Sequence, residues 1–336
     1  MHYKTKHLLI LALTVILVVP SQFAQAKIND VINKSFSVSE GGTLTIEANL
    51  GAIEVTTSGR NTVDVEIIRE LRTNDRDEAD EILEDFEVDF SHHGDDVEIV
   101  SEYINSRSMM SRFFRSNNRR IKIKYKVSVP EKYNIELKTS GGSISVEDIE
   151  GTVNCKTSGG SLNFGNVTGP VWGKTSGGSI NLNDCTGDVD VHTSGGRIKV
   201  GRVNGEVIAK SSGGSISIEH AEGSVSAHTS GGSINVEEIS GHINAHTSGG
   251  SVTARISSQP GNDCKLTTSG GSVNVYLAEN INCDVDAKTS GGRVNTEIPV
   301  SVTGELRKHA LNARINDGGP ELYLRTSGGS INIKEL

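Results

Sequence analysis

The stretch Lys138-Thr139-Ser140-Gly141-Gly142-Ser143-Ile144-Ser145-Val146 decides the fold, because it keeps coming back. Thr-Ser-Gly-Gly starts again at Thr157, Thr175 and Thr193, returns as Ser-Ser-Gly-Gly at Ser211, and recurs at Thr229 and Thr247, each step being 18 residues. Two steps of 21 lead to Thr268 and Thr289, and a step of 37 leads to a last copy at Thr326. A degenerate copy, Ala48-Asn49-Leu50-Gly51-Ala52-Ile53, lies upstream. Self-similarity at a short fixed period is the mark of a solenoid, whose units cannot bury an apolar face alone and must stack.

Counting from each Thr as zero, position +5 is Ile144, Leu162, Ile180, Ile198, Ile216, Ile234 and Val252, and position +7 is Val146, Phe164, Leu182, Val200, Ile218, Val236 and Ala254. Apolar residues return at +10 (Ile149, Val167, Cys185, Val203), at +14 (Val153, Val171, Val189, Val207) and at +16 (Cys155, Gly173, Val191, Ala209). Polar residues fill the gaps. This is period-two alternation in two short runs, with no helical period. Glycines at +2, +3 and +12 mark two corners, where a positive φ costs glycine least. The predicted fold is all-β, a β-solenoid of 18–21-residue coils over residues 131–336. About ten coils stacked roughly 4.8 Å apart give a rod on the order of 50 Å long.

Residues 1–26 read as a signal peptide: Lys4 and Lys6, an apolar core from Leu8 to Pro20, then Ala24-Gln25-Ala26 before Lys27. The apolar run is shorter than the ~20 residues of a membrane span. The chain is thus expected to be exported, to the periplasm or the cell surface. Cleavage removes two lysines, leaving 31 basic against 42 acidic residues, a formal net charge of −11. That balance and export both argue against nucleic acid as a partner. Aromatic residues make up only 4% of the chain, which suits a narrow interior.

Residues 27–130 read as an N-terminal α+β cap over the open end of the stack, since uncovered sheet edges invite aggregation. Its expected strands are 35–38, 43–46, 62–68, 87–91, 96–103 and 121–129. A helix is expected over 75–86, capped by Thr73 or Asn74. Residues 64–102 carry sixteen acidic and three basic side chains, whereas 107–124 carry seven basic and no acidic ones. Residues 300–325 read as a second, irregular cap.

Two features stand out as candidate contact sites. In the loop between Ser106 and Arg120, Met109, Met110, Arg112, Phe113, Phe114 and Arg115 set bulky apolar groups beside cations, which suits a membrane interface or an acidic partner. The competing reading tucks both Phe side chains under the cap. The residue before each Thr gives a basic stripe: Lys138, Lys156, Lys174, His192, Lys210, His228 and His246, then Lys288. Like charges one coil apart repel, so they need acidic neighbours or an anionic partner. Glu136, Asp190 and Asp286 supply some. Candidate partners are an envelope glycan, a membrane surface or a protein.

Catalytic and metal signatures are weak. Thr-Ser-Gly-Gly lacks the Lys-Ser/Thr and helix of a phosphate loop. The Gly-Gly-x-Gly-x-Asp pattern of calcium rolls is missing, and His228 with His246 has no evident third ligand. No array break gathers carboxylates as a glycosidase would need. No cofactor, metal or catalytic residue is expected, although a polysaccharide-active enzyme on a β-helix and a purely structural envelope protein stay open as alternatives. Cys155, Cys185, Cys264 and Cys283 all take inward parity, and Cys264 and Cys283 sit on consecutive 21-residue repeats, which leaves a disulfide between them open.

Val127-Ser128-Val129-Pro130, followed by Leu137-Lys138-Thr139-Ser140-Gly141-Gly142-Ser143-Ile144 and Gly151, resembles a bacterial family of unknown function whose members carry an adhesin label. Ile315-Asn316-Asp317-Gly318-Gly319-Pro320 and Leu324-Arg325-Thr326-Ser327-Gly328 are similar to its closing element. The resemblance spans roughly residues 36–336. It implies a β-helical, exported envelope protein and no catalytic residues. The regular 18-residue array and the long basic loop depart from it.

Overall fold

The computed structural model describes residues 28–73, 75–103, 121–303 and 307–336. Each repeat forms one coil with two strands on opposite sides of a thin interior, such as Ile198–Val203 and Val207–Ser211. Strands that follow the Thr-Ser-Gly-Gly corner build a first sheet of fourteen strands, and strands that lead into it build a second sheet of fifteen. Equivalent positions of the second sheet stack without slippage: Val153, Val171, Val189, Val207, Val225 and Ile243 form one continuous parallel row. A one-residue slip would turn every apolar side chain outward, so the buried rows hold the register. The residues at +5, +7, +10, +14 and +16 are buried as their parity predicts. Each fully buried Val, Leu or Ile contributes about 1.5–3 kcal/mol.

The corner Thr is an additional inward residue. Thr157, Thr175, Thr193, Thr229 and Thr247 are buried. Each donates its hydroxyl at 2.7 Å to the carbonyl of the second corner glycine one coil back, from Gly142 to Gly232. The polar corner is therefore satisfied internally, as a buried hydroxyl must be. The second corner glycine is needed for a reason other than the expected positive φ. A Cβ on Gly178 would lie 2.1 Å from the Gly160 carbonyl oxygen, and the same clash repeats along the row. Backbone stacks directly on backbone here. A positive φ does occur at the other corner, at Gly151 (151°) and Gly169 (142°).

At both ends, spatial order departs from chain order. The stack begins with Thr43–Ala48 and Ala52–Ser58, which lie beside Asn134–Thr139 and Ile144–Val146 across some ninety residues of chain. Thr139 donates to the Gly51 carbonyl at 3.0 Å, repeating the corner bond. Beyond this coil, Ile121–Pro130, Thr62–Leu71 and Ile28–Ser37 extend the first sheet. Asp96–Tyr103 and Phe86–His93 extend the second. Buried Tyr125 meets the Ser101 hydroxyl at 2.5 Å, and burial pushes its pKa up to about 12. The helix is Arg76–Glu84, with Asp75 rather than Thr73 as its cap. The Asp75 carboxylate takes the Asp77 and Glu78 amides, while the Thr73 hydroxyl turns to the Glu78 carboxylate.

At the far end, Glu321–Thr326 and Ile331–Glu335 insert between the coils that bear Cys264–Thr268 and Cys283–Thr289. Eleven coils stack among the described residues. The region expected as an irregular cap is instead a short antiparallel hairpin, Ser301–Val302 with Ala310–Ile315, followed by this regular last coil. Cys264 and Cys283 are consequently not on adjacent coils. Cys264 stands opposite Leu322 and Cys283 opposite Ile315. All four cysteines are free and buried. Burial raises the Cys264 thiol pKa and pushes that of Cys283 up to about 12.

Candidate binding face

The two sheets present opposite surfaces of different chemistry. On the first, the outward position between the two buried ones is mostly Ser or Asn, broken by Lys199 and Thr253, while the far ends of its strands carry mixed charge such as Arg202, Glu219, Glu237 and Arg255. Asn181 donates to Asn163 at 2.9 Å, Asn332 to Asn274 at 2.8 Å, and Asn295 to Asn332 at 2.9 Å. These amide ladders use one another as partners.

On the second, Lys138, Lys156, Lys174, His192, Lys210, His228 and His246 stand in one in-register row. All seven stripe residues predicted from the sequence therefore come together. The row then runs through Thr267 and Arg325 before reaching Lys288, because the inserted coil stands between Thr267 and Lys288. Exposed Ser158, Ser176, Ser194, Ser212, Ser230 and Ser248 flank it on the corner.

Neutralisation is uneven. Lys138 pairs with Glu47 of the first coil at 3.4 Å rather than with Glu136. His192 meets Asp190 at 2.6 Å, as its position predicts. Asp286 binds Arg325 of the inserted coil instead of Lys288 on its own strand. Among the described residues no carboxylate pairs with Lys156, Lys174 or Lys210. The His228 and His246 rings lie 5.3 Å apart, and His246 meets the Thr267 hydroxyl at 2.7 Å. Partial burial, then the charges of His246, Lys210 and Lys265, lower the His228 pKa from its ordinary value.

Two shallow depressions lie along this face. One holds Lys210, Ser211, His228, Ser230, His246 and Ser248. The other is lined by Pro170, Trp172, Asp188, Asp190, Glu206 and Ile208. Trp172, the single tryptophan, is half-buried two residues before Lys174 on the same strand. Sequence reading missed it, although its outward parity was available as a signal. Met109, Met110, Arg112, Phe113, Phe114 and Arg115 lie outside the described residues. Among the described residues no three His, Cys, Asp or Glu side chains gather as a metal site would require, and no helix is long and apolar enough to cross a membrane.

A parallel β-solenoid with two unlike flat faces is the class these features define. Residues 42–334 match the Toastrack DUF4097 family, and the chain belongs to it. Comparison with curated proteins finds no match. Among solved structures, the chain is similar to one provisionally named a cell adhesion protein, from Clostridium sporogenes, at 14% identity over 93% of this chain and 100% of that one, with a TM-score of 0.24. It is also similar to one provisionally named an adhesin, from Bacteroides fragilis, at 13% identity over 90% and 97%, with a TM-score of 0.33. A third, provisionally named a lipid binding protein, from Parabacteroides distasonis, shares 13% identity over 90% and 96%, with a TM-score of 0.28.

Proposed function

We propose that this is an exported, non-catalytic binding scaffold of the cell envelope, cleaved after Ala26, whose contact surface is the basic row of the second sheet. The observation that carries the reading is the run Lys156, Lys174 and Lys210, three exposed cations left without carboxylate partners on a regular face. Like charges at one coil spacing are unfavourable unless something anionic lies over them. The repetition also favours binding over catalysis. Lysine or histidine recurs from rung to rung along the stripe, whereas catalysis requires unlike groups converging on one point. The loop residues Met109 to Arg115 are a second proposed contact.

Co-sedimentation of residues 27–336 with separated membrane and cell-wall fractions tests this. The wild type is expected to pellet with one fraction, and Lys156→Glu/Lys174→Glu/Lys210→Glu to stay in the supernatant. Loss only in Phe113→Ser/Phe114→Ser/Arg115→Ser would move the contact to the loop. A wild type that pellets with neither fraction overturns the binding reading.

A further inference from the structure

We infer that the second face carries a subsite for an acidic polysaccharide, with Trp172 as the sugar platform and the adjoining basic row as the cradle for its carboxylates. This rests on the binding-scaffold reading and names its ligand class.

Three kinds of group meet here, and together they fit a charged sugar chain. The first is an aromatic plate. Trp172 is half-buried, so its indole is held by its surroundings while part of it meets solvent. Aromatic side chains supply large, rigid contact area for an apolar ring face at little entropic cost. Pro170 and Ile208 extend that apolar floor. The second is a set of acceptors beside the plate. Asp188 takes the Glu206 amide at 2.8 Å and Asp190 takes His192 at 2.6 Å. Each carboxylate has about four lone-pair sites, so hydroxyl protons of a sugar still find partners. Asp188, Asp190 and Glu206 repel any anion, so the polymer's hydroxyls must face them and its carboxylates the lysine row; polyphosphate has no hydroxyls to offer. The third is the cation row. Lys174 is on the Trp172 strand, two residues away; Lys156 stands one coil before it, and Lys210 two coils after it, beyond His192, which Asp190 holds. A monosaccharide could use the plate alone. A row that continues along the rod suits a polymer running parallel to its axis, with successive carboxylates meeting successive rungs. The serine hydroxyls along the corner add donors to the same track.

The first sheet offers a contrast within the same molecule. Its amide ladders are already hydrogen-bonded to one another, so a ligand there would have to displace existing bonds.

Titration calorimetry of residues 27–336 against polygalacturonate, alginate and hyaluronate tests the inference, with methyl-esterified polygalacturonate and polyphosphate as controls. At least one acidic polysaccharide is expected to bind, weakening as salt rises because exposed charges are screened within about 8 Å at physiological ionic strength. Lys156→Gln/Lys174→Gln/Lys210→Gln is expected to weaken it at least about tenfold, and Trp172→Ala by a similar factor, with Trp172→Phe retaining most of the affinity. Trp172→Ala should leave any polyphosphate binding unchanged. Melting curves of each variant confirm that the fold persists, since all four side chains face outward. An esterified polymer that binds as well as the acid, or a Trp172→Ala variant that binds all polyanions like the wild type, overturns the inference. Binding to none of the three polysaccharides also overturns it. If the protein still pellets with envelope fractions in that case, the scaffold reading survives alone; if it does neither, both fail.

Discussion

The middle of the rod and its two ends are made of the same coil but obey different rules of assembly. Between Asn134 and Thr268 each coil rests on the one synthesised just before it. At the ends, neighbours in space are remote in the chain. Thr43–Ala48 meets Asn134–Thr139, and Glu321–Thr326 separates two coils made earlier. The lesson is that one local rule, a repeat that stacks, specifies every coil but does not specify which coil stacks on which.

Excision experiments would break that comparison most visibly. Removing residues 199–216 joins Ile198 to Ser217 and restores every row, since Ile198 and Ile216 are register equivalents. A soluble protein with a single cooperative melt is expected. Removing the sixteen residues 321–336 deletes a similar length but leaves two coils facing an empty slot. Loss of cooperative melting at that end, or aggregation through the exposed edges, is expected by calorimetry and light scattering. Equal outcomes for the two deletions would mean that coil order has no structural weight.

Glycine substitutions sharpen the contrast at a smaller scale. Gly178→Ala forces a Cβ to within 2.1 Å of the Gly160 oxygen, and a destabilisation of about 1–3 kcal/mol or more is expected from urea titration. Gly59→Ala, in the N-terminal region, meets nothing within 4 Å and should stay within about 0.5 kcal/mol of wild type. Thr175→Val keeps the shape of the corner but removes the donor to the Gly160 carbonyl, with an expected cost of about 1–3 kcal/mol.

The smallest expected effect concerns pH. The pKa of His228 is lowered in the folded chain, chiefly by desolvation. In the window between the folded and unfolded values the unfolded chain therefore binds more protons, and stability falls as pH drops through it. His228→Gln should flatten this acid-side decline in melting temperature. A steeper decline in the variant would contradict the direction of the shift.

This division between middle and ends also explains what could be read in advance. The interior rows were legible because parity and period act locally, and Leu162, Ile180 and Ile198 needed no knowledge of any other segment. The basic stripe was legible for the same reason. Its neutralisation was not: Lys138 draws on Glu47, whose nearness depends on a skip of ninety residues. The separation of Cys264 from Cys283 was hidden likewise, because the coils at Thr289 and Thr326 bear the same signature and nothing local ranks them. The corner glycines were recognised, but the backbone contact that demands most of them is a property of two stacked coils, invisible in one.

The inserted coil of Glu321–Thr326 and Ile331–Glu335 imposes an order of assembly on this end of the rod. A chain emerging from its N-terminus makes the outermost coil, Cys283–Thr289 and Val294–Thr296, before it makes that coil's inner neighbour. Until Ile331–Glu335 exists, the outer coil's strand Val294–Thr296 has no strand to pair with. The far end of the rod thus works like an arch closed by its keystone: synthesis must pass Glu335 before the two coils on either side can be joined, and until then each shows an unpaired edge.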